Sequence, residues 1–223
     1  MARHRRTPAP WYRLVAGGAG LLLLTLIGLA SLRFGMADLN ALGSSLRMEG
    51  WRTENLSPSP SSWSEAMNRL QIALKLDPNN PALTLKMVNL IQQKTNPPHQ
   101  PIKARNKASL TFLRRTIQLQ PASAYGWAKL ASTKFRAKEW DDETWQAMNL
   151  AVLSAPHDPP IQRTIGMLTL SAWPKIPLPQ RPNLEKNLSL ALQGAYQSEL
   201  IHYAKLKDRT NLIAPLCPNC ITP

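Results

Sequence analysis

Leu110–Thr133 reads LTFLRRTIQLQPASAYGWAKLAST. Two apolar runs at helical spacing flank one proline: Leu110, Leu113 and Ile117 before Pro121, then Tyr125, Trp127, Leu130 and Ala131 after it. Proline stops the first run because it has no N–H to donate and disfavours helix in the residue before it. The stretch therefore predicts two helices joined by a short turn. Two more segments align with it on their prolines, Met67–Leu90 (MNRLQIALKLDPNNPALTLKMVNL) and Trp145–Leu168 (WQAMNLAVLSAPHDPPIQRTIGML). Pro78 and Pro121 lie 43 residues apart, Pro121 and Pro156 35. One helix pair cannot bury its apolar face, whereas stacked pairs can, so the recurrence predicts an all-α array.

The most regular unit is Trp127-x2-Leu130-Ala131, followed by Phe135, Ala151 and Pro156. It resembles the tetratricopeptide signature, W-x2-L-G-x2-Y with a later Ala and Pro, although Phe135 falls one place late. The second spacing is close to the roughly 34 residues of that repeat, and the first approaches it if Asn96–Pro101 is an insertion. Small Ala73 and Ala151 let two helices approach closely. The resemblance implies a tetratricopeptide-like helical-repeat domain over residues 62–207.

Working outward, Ser62 with Glu65 has capping-box spacing and opens a helix that stops at Asp77-Pro78-Asn79-Asn80-Pro81. Further helices are expected over Ala82–Lys94, Asn106–Leu119 and Ala122–Arg136. Another is capped by Asp141 and a sixth begins at Asp158 and breaks at Trp173-Pro174. Asn183 is expected to cap a last long helix reaching Lys207. No segment reads as a strand.

Upstream, Leu14–Leu32 (LVAGGAGLLLLTLIGLASL) carries no charge between Arg13 and Arg33. As a helix it reaches about 28 Å, close to the hydrocarbon thickness of a bilayer. Residues 14–33 are thus expected as one transmembrane helix. Arg3, Arg5, Arg6 and Arg13 precede it and Trp11 and Tyr12 suit an interfacial belt, so residues 1–13 form a basic cytoplasmic tail and the rest is exported. The same features suit a cleaved signal, with small residues at Gly28-Leu29-Ala30 or Gly35-Met36-Ala37. Residues 34–61 read as a short helical extension carrying Leu39, Leu42 and Leu46, then a linker from Gly50 that ends in Ser57-Pro58-Ser59-Pro60.

The net charge is +14, and five arginines in the first 33 residues leave +9 on the remainder. That surplus suits anionic company. No nucleic-acid-binding motif is present, and no nucleic-acid partner is expected. Cys217 and Cys220 (residues 208–223 form a C-terminal tail) read as a possible disulfide, as free thiols, or as a CxxC redox or metal pair. No strand precedes them to build a redox fold, and His99, His157 and His202 are scattered. Asp141, Asp142 and Glu143 suit a helix start, and phosphate loops, nucleophile elbows and HExxH are missing. Neither an enzyme, a cofactor nor a metal is expected.

In stacked pairs the first helix of each pair lines a concave face. On this register Asn89, Gln92, Tyr125, Ser132, Arg136 and Arg163 face the groove, where amides, a tyrosine and two arginines suit a peptide terminus or an anionic segment. The order of basic tail, span, Pro/Ser linker, ALKLDPNNP and the Arg114–Ala131 unit is similar to the VpsP-type proteins of bacterial exopolysaccharide loci. That resemblance implies a single-pass inner-membrane protein with a periplasmic scaffold domain. Its partners would be polysaccharide assembly proteins such as a polymerase, a chain-length regulator or export components. Two other functions remain open: a periplasmic adaptor for cytochrome maturation or envelope assembly, and a small thiol oxidoreductase.

Overall fold

The computed structural model describes residues 10–93 and 101–218, with side chains from residue 15 onward. Ten α-helices lie among these residues, and no strand. They are α1 (Pro10–Thr53), α2 (Pro60–Leu76), α3 (Pro81–Gln92), α4 (Ile102–Leu119), α5 (Ala124–Ala137), α6 (Asp142–Ser154), α7 (Pro159–Ala172), α8 (Arg181–Ala191), α9 (Gln197–Leu206) and α10 (Thr210–Ile213). Consecutive helices pack as hairpins α1–α2, α3–α4, α5–α6 and α7–α8, and each hairpin stacks on the next. The fold is a tetratricopeptide-like helical array preceded by one long apolar helix.

The turns between hairpins follow one rule. The N-cap comes two residues after the proline, at Asn80, Ser123 and Asp158. Each cap oxygen accepts a backbone N–H of the next helix: Ala82 at 3.0 Å, Gly126 at 3.1 Å and Ile161 at 2.9 Å. These bonds satisfy donors that the first helical turn otherwise leaves without a partner. Asp141 caps α6 in the same way, through the Thr144 N–H at 3.0 Å. At α2 the cap is Ser59 rather than Ser62, because Pro60 already has the φ of a first helical residue and starts the helix three places earlier.

Ala73 and Ala151 are fully buried where helices cross, as their size requires. Leu70, Leu90, Leu113 and Leu130 fill the layer between leading and following helices. Trp63 threads between hairpins and donates its indole N–H to the Leu90 carbonyl at 2.9 Å, tying α2 to the end of α3.

The structure departs from the sequence reading in three places. First, α1 does not give way to a linker at Gly50 but continues to Thr53, and Ala37, Ala41 and Ser44 bury against α2. Its outer half is the leading helix of the first hairpin, so the array begins before residue 62. Second, the long Pro78–Pro121 interval is shared between a longer connection and a longer α4, which starts at Ile102 instead of Asn106. Most of the Asn96–Pro101 insertion lies outside the described residues. Third, the single last helix is two. Gln180, not Asn183, precedes α8, and the chain turns at Leu192–Tyr196 before α9. Leu200, Ala204 and Ile213 pack on Leu170 and Leu188 and close that end of the array, with Leu216 and Cys217 against them.

Val15–Thr53 is long and apolar enough to cross a membrane, and none of its apolar window is buried. The basic tail of residues 1–9 and the side chains of Trp11, Tyr12 and Arg13 lie outside the described residues.

Candidate functional site

The leading helices α1, α3, α5 and α7 form one face of the array. A groove of about 770 Å³ runs between the outer end of α1, α3 and α5. Four of the expected residues meet in it: Asn89 and Gln92 from α3, Tyr125 and Arg136 from α5. Ser132 lies in an adjoining recess that extends the groove past Tyr125 toward Ile161 and Thr164 of α7. Arg163 does not join them. It turns to the closing end, where it pairs with the Glu199 carboxylate (Nε–Oε2 2.6 Å) and sits over the Tyr196 ring.

The floor of the groove is held by Thr133, whose hydroxyl accepts from Gln92 Nε2 at 2.9 Å and Arg136 Nη2 at 3.1 Å. Arg105, at the start of α4, reaches the Gln93 carbonyl at 3.4 Å, and its Nε is buried with no hydrogen-bond partner. Lys129 lies beside the Tyr125 ring, 5.7 Å from its centre. Burial pushes the Lys129 ammonium below its ordinary pKa, and Arg136 pushes it further. Burial and then the charge of Arg105 do the same to Arg136.

The groove is thus electrostatically one-sided. Lys86, Arg105, Lys129 and Arg136 make no ion pair among the described residues. Glu49 is the single carboxylate lining the groove, and Arg52 holds it at 2.6 Å. Some cations elsewhere are matched. Lys134 meets Asp141 at 2.7 Å and Glu143 at 2.6 Å, and Arg114 makes a two-point contact with Glu143. Like charges held together without a counter-charge cost stability that an incoming anion would restore. The arrangement can therefore bind a carboxylate-bearing segment through charge-assisted hydrogen bonds from Arg and Lys.

Lys86, Lys129 and Arg105 were not singled out from sequence, yet two of them were legible there. Lys129 falls four residues after Tyr125 and Lys86 three before Asn89, on the same helical faces. Arg105 was not legible, because it belongs to a following helix and arrives only by lying at the mouth of the α3–α4 connection. Of the tail pair, Cys217 accepts a long contact from Gln197 Nε2 (3.9 Å), while Cys220 lies outside the described residues.

No family model matches the chain, and no curated protein is similar to it in sequence. Among solved structures it is similar to the crystal structure of MamA protein, at 16% identity, over 82% of this chain and 98% of that one, with a TM-score of 0.43.

Proposed function

We propose that the chain is a membrane-tethered scaffold whose groove captures an acidic segment of a protein partner. The observation that carries this reading is the convergence of Lys86, Lys129 and Arg136, with Arg105 close to Arg136, in a groove whose one carboxylate, Glu49, is held by Arg52. Tethering raises the local concentration of a partner in the same membrane, so a groove of modest intrinsic affinity suffices. In this reading α1 is a retained anchor with its N-terminus in the cytoplasm and the helical array in the periplasm. The resemblance to VpsP-type proteins supports assembly or export of a surface polysaccharide as the process served, with polymerase, chain-length regulator or export components as partners.

Photo-crosslinking from intact membranes tests it. A crosslinker at Tyr125 is expected to capture a membrane-bound partner, and Lys129→Glu with Arg136→Glu is expected to abolish the adduct. Capture that is unchanged in the double variant would overturn the groove assignment. Protease added to intact spheroplasts is expected to remove the array, and protection of the array there would reverse the topology.

A further inference from the structure

The groove changes character along its length. Toward the apolar end of α1, Leu39 and Leu42 face Ala82 and Leu83 across a recess of about 440 Å³ that Asp38 and Asn80 also line. Both leucines are strongly exposed, at 68% and 53%. Lys86 lines this recess and also the cationic one, so the two are continuous. From Leu83 to Gln92 along α3 the surface passes from apolar to cationic over about 14 Å. The apolar part also continues the exposed Leu29 and Leu32 of the span, because α1 runs through without a break. If α1 spans the bilayer, the greasy half of the groove lies nearest the lipid and the cationic half farthest from it.

We propose that this groove receives a polypeptide that leaves the same membrane beside α1, apolar in its first juxtamembrane turns and acidic about two to three helical turns further out. This rests on the groove reading above and adds the partner's membrane attachment and the order of its residues. An apolar stretch emerging from lipid covers Leu39 and Leu42 without first crossing water, and its following carboxylates arrive at Lys129 and Arg136. A soluble acidic peptide would fill the outer half alone. A second copy of this chain is poorly matched, because the one carboxylate its α1 would bring to the cationic end, Glu49, is already paired with Arg52.

The test uses the full chain in phosphatidylcholine vesicles with three synthetic peptides. The first has a leucine–alanine spanning helix, then eight alanine and leucine residues, then four glutamates. The second reverses the order of those twelve residues, and the third carries them without the span. Binding is read by energy transfer from a donor on the chain to an acceptor on the peptide. The first peptide is expected to bind at least ten-fold more tightly than either other at equal surface or bulk concentration. Leu39→Ser with Leu42→Ser, and separately Lys129→Glu with Arg136→Glu, should each remove that advantage. Replacing the four glutamates by lysines should recover binding to the charge-reversed variant, which a misfolded variant would not allow.

Equal binding of the first and second peptides overturns the proposal, and so does equal binding of the first and third; either leaves the groove reading in place. If none of the three binds in a manner sensitive to Lys129 and Arg136, the groove reading falls as well. Energy transfer between two copies of the chain that disappears in the Leu39/Leu42 variant would give the apolar recess to self-pairing and overturn the proposal.

Discussion

Lys134 is fully buried, yet it carries a charge into the turn between α5 and α6, where Asp141 and Glu143 meet it and Glu139 stands at 3.4 Å. Burial alone would lower its pKa, but the Asp141 and Glu143 carboxylates overcome that and raise it. Removing one partner of a buried ion pair leaves the other charges uncompensated, at roughly 3–5 kcal/mol. These carboxylates keep some contact with water, so Lys134→Met is expected to cost about 3 kcal/mol in urea unfolding. Glu143 is held at about 2 by hydrogen bonds from Arg114, against the opposing effect of burial, with Lys134 adding to the downward pull. A carboxylate depressed in the folded state contributes stability above its unfolded value of 4.5. The thermal midpoint should therefore fall as pH drops from 4.5 toward 2, and Glu143→Gln should flatten that limb. Lys138 ends α5 with φ 60°, in the left-handed region that L side chains disfavour. Lys138→Gly is expected to raise stability by about 0.5–1 kcal/mol, since relief of that strain exceeds the entropy glycine adds to the unfolded chain.

At the scale of the element, what the sequence made legible followed from proline and from helical spacing. Pro78, Pro121 and Pro156 mark the turns, and Asn80, Ser123 and Asp158 then have the side chains an N-cap needs. Ser123→Ala should cost about 1 kcal/mol, measured by denaturant midpoint. The outer half of α1 was not legible, because the residues it buries fully against α2 are the small Ala37, Ala41 and Ser44. Small residues seat one helix close to another but give hardly any hydropathy signal, and the larger Leu39, Leu42 and Leu46 point the other way. The break between α8 and α9 was hidden for a related reason. Leu188, Leu192 and Leu200 are all buried, so apolar residues continue through a chain reversal. Most of the groove could be read because its residues sit on leading helices at regular spacing. Arg163 could not be placed, because its partner Glu199 lies 36 residues on, in a helix that exists only because of that reversal.

Across the whole molecule, stability passes between neighbouring hairpins, since each contacts little beyond the next. The array therefore depends on how its ends are covered. At one end α9 and α10 bury Leu170 and Leu188 through Leu200, Ala204 and Ile213. Truncation after Ala172 would bare Leu170 and its neighbours, at roughly 1.5–3 kcal/mol per large side chain. With two or three such side chains exposed, the loss approaches the whole stability of a small domain. The expected result is a broad, low-temperature unfolding transition by circular dichroism. At the other end, the cover is α1.

If the uninterrupted rod from Val15 to Thr53 crosses a bilayer as proposed, the groove has a compass bearing within the plane of that bilayer. Each residue added to the apolar stretch between Gly28 and Leu32 would swing that bearing by about 100° and lift the array by about 1.5 Å. One inserted alanine should thus aim the binding face away from a neighbour fixed in the same membrane. Seven alanines bring it back to within about 20°, though about 10 Å higher. A flexible tether would be indifferent to such insertions, whereas recognition carried on this shaft should be periodic in its length.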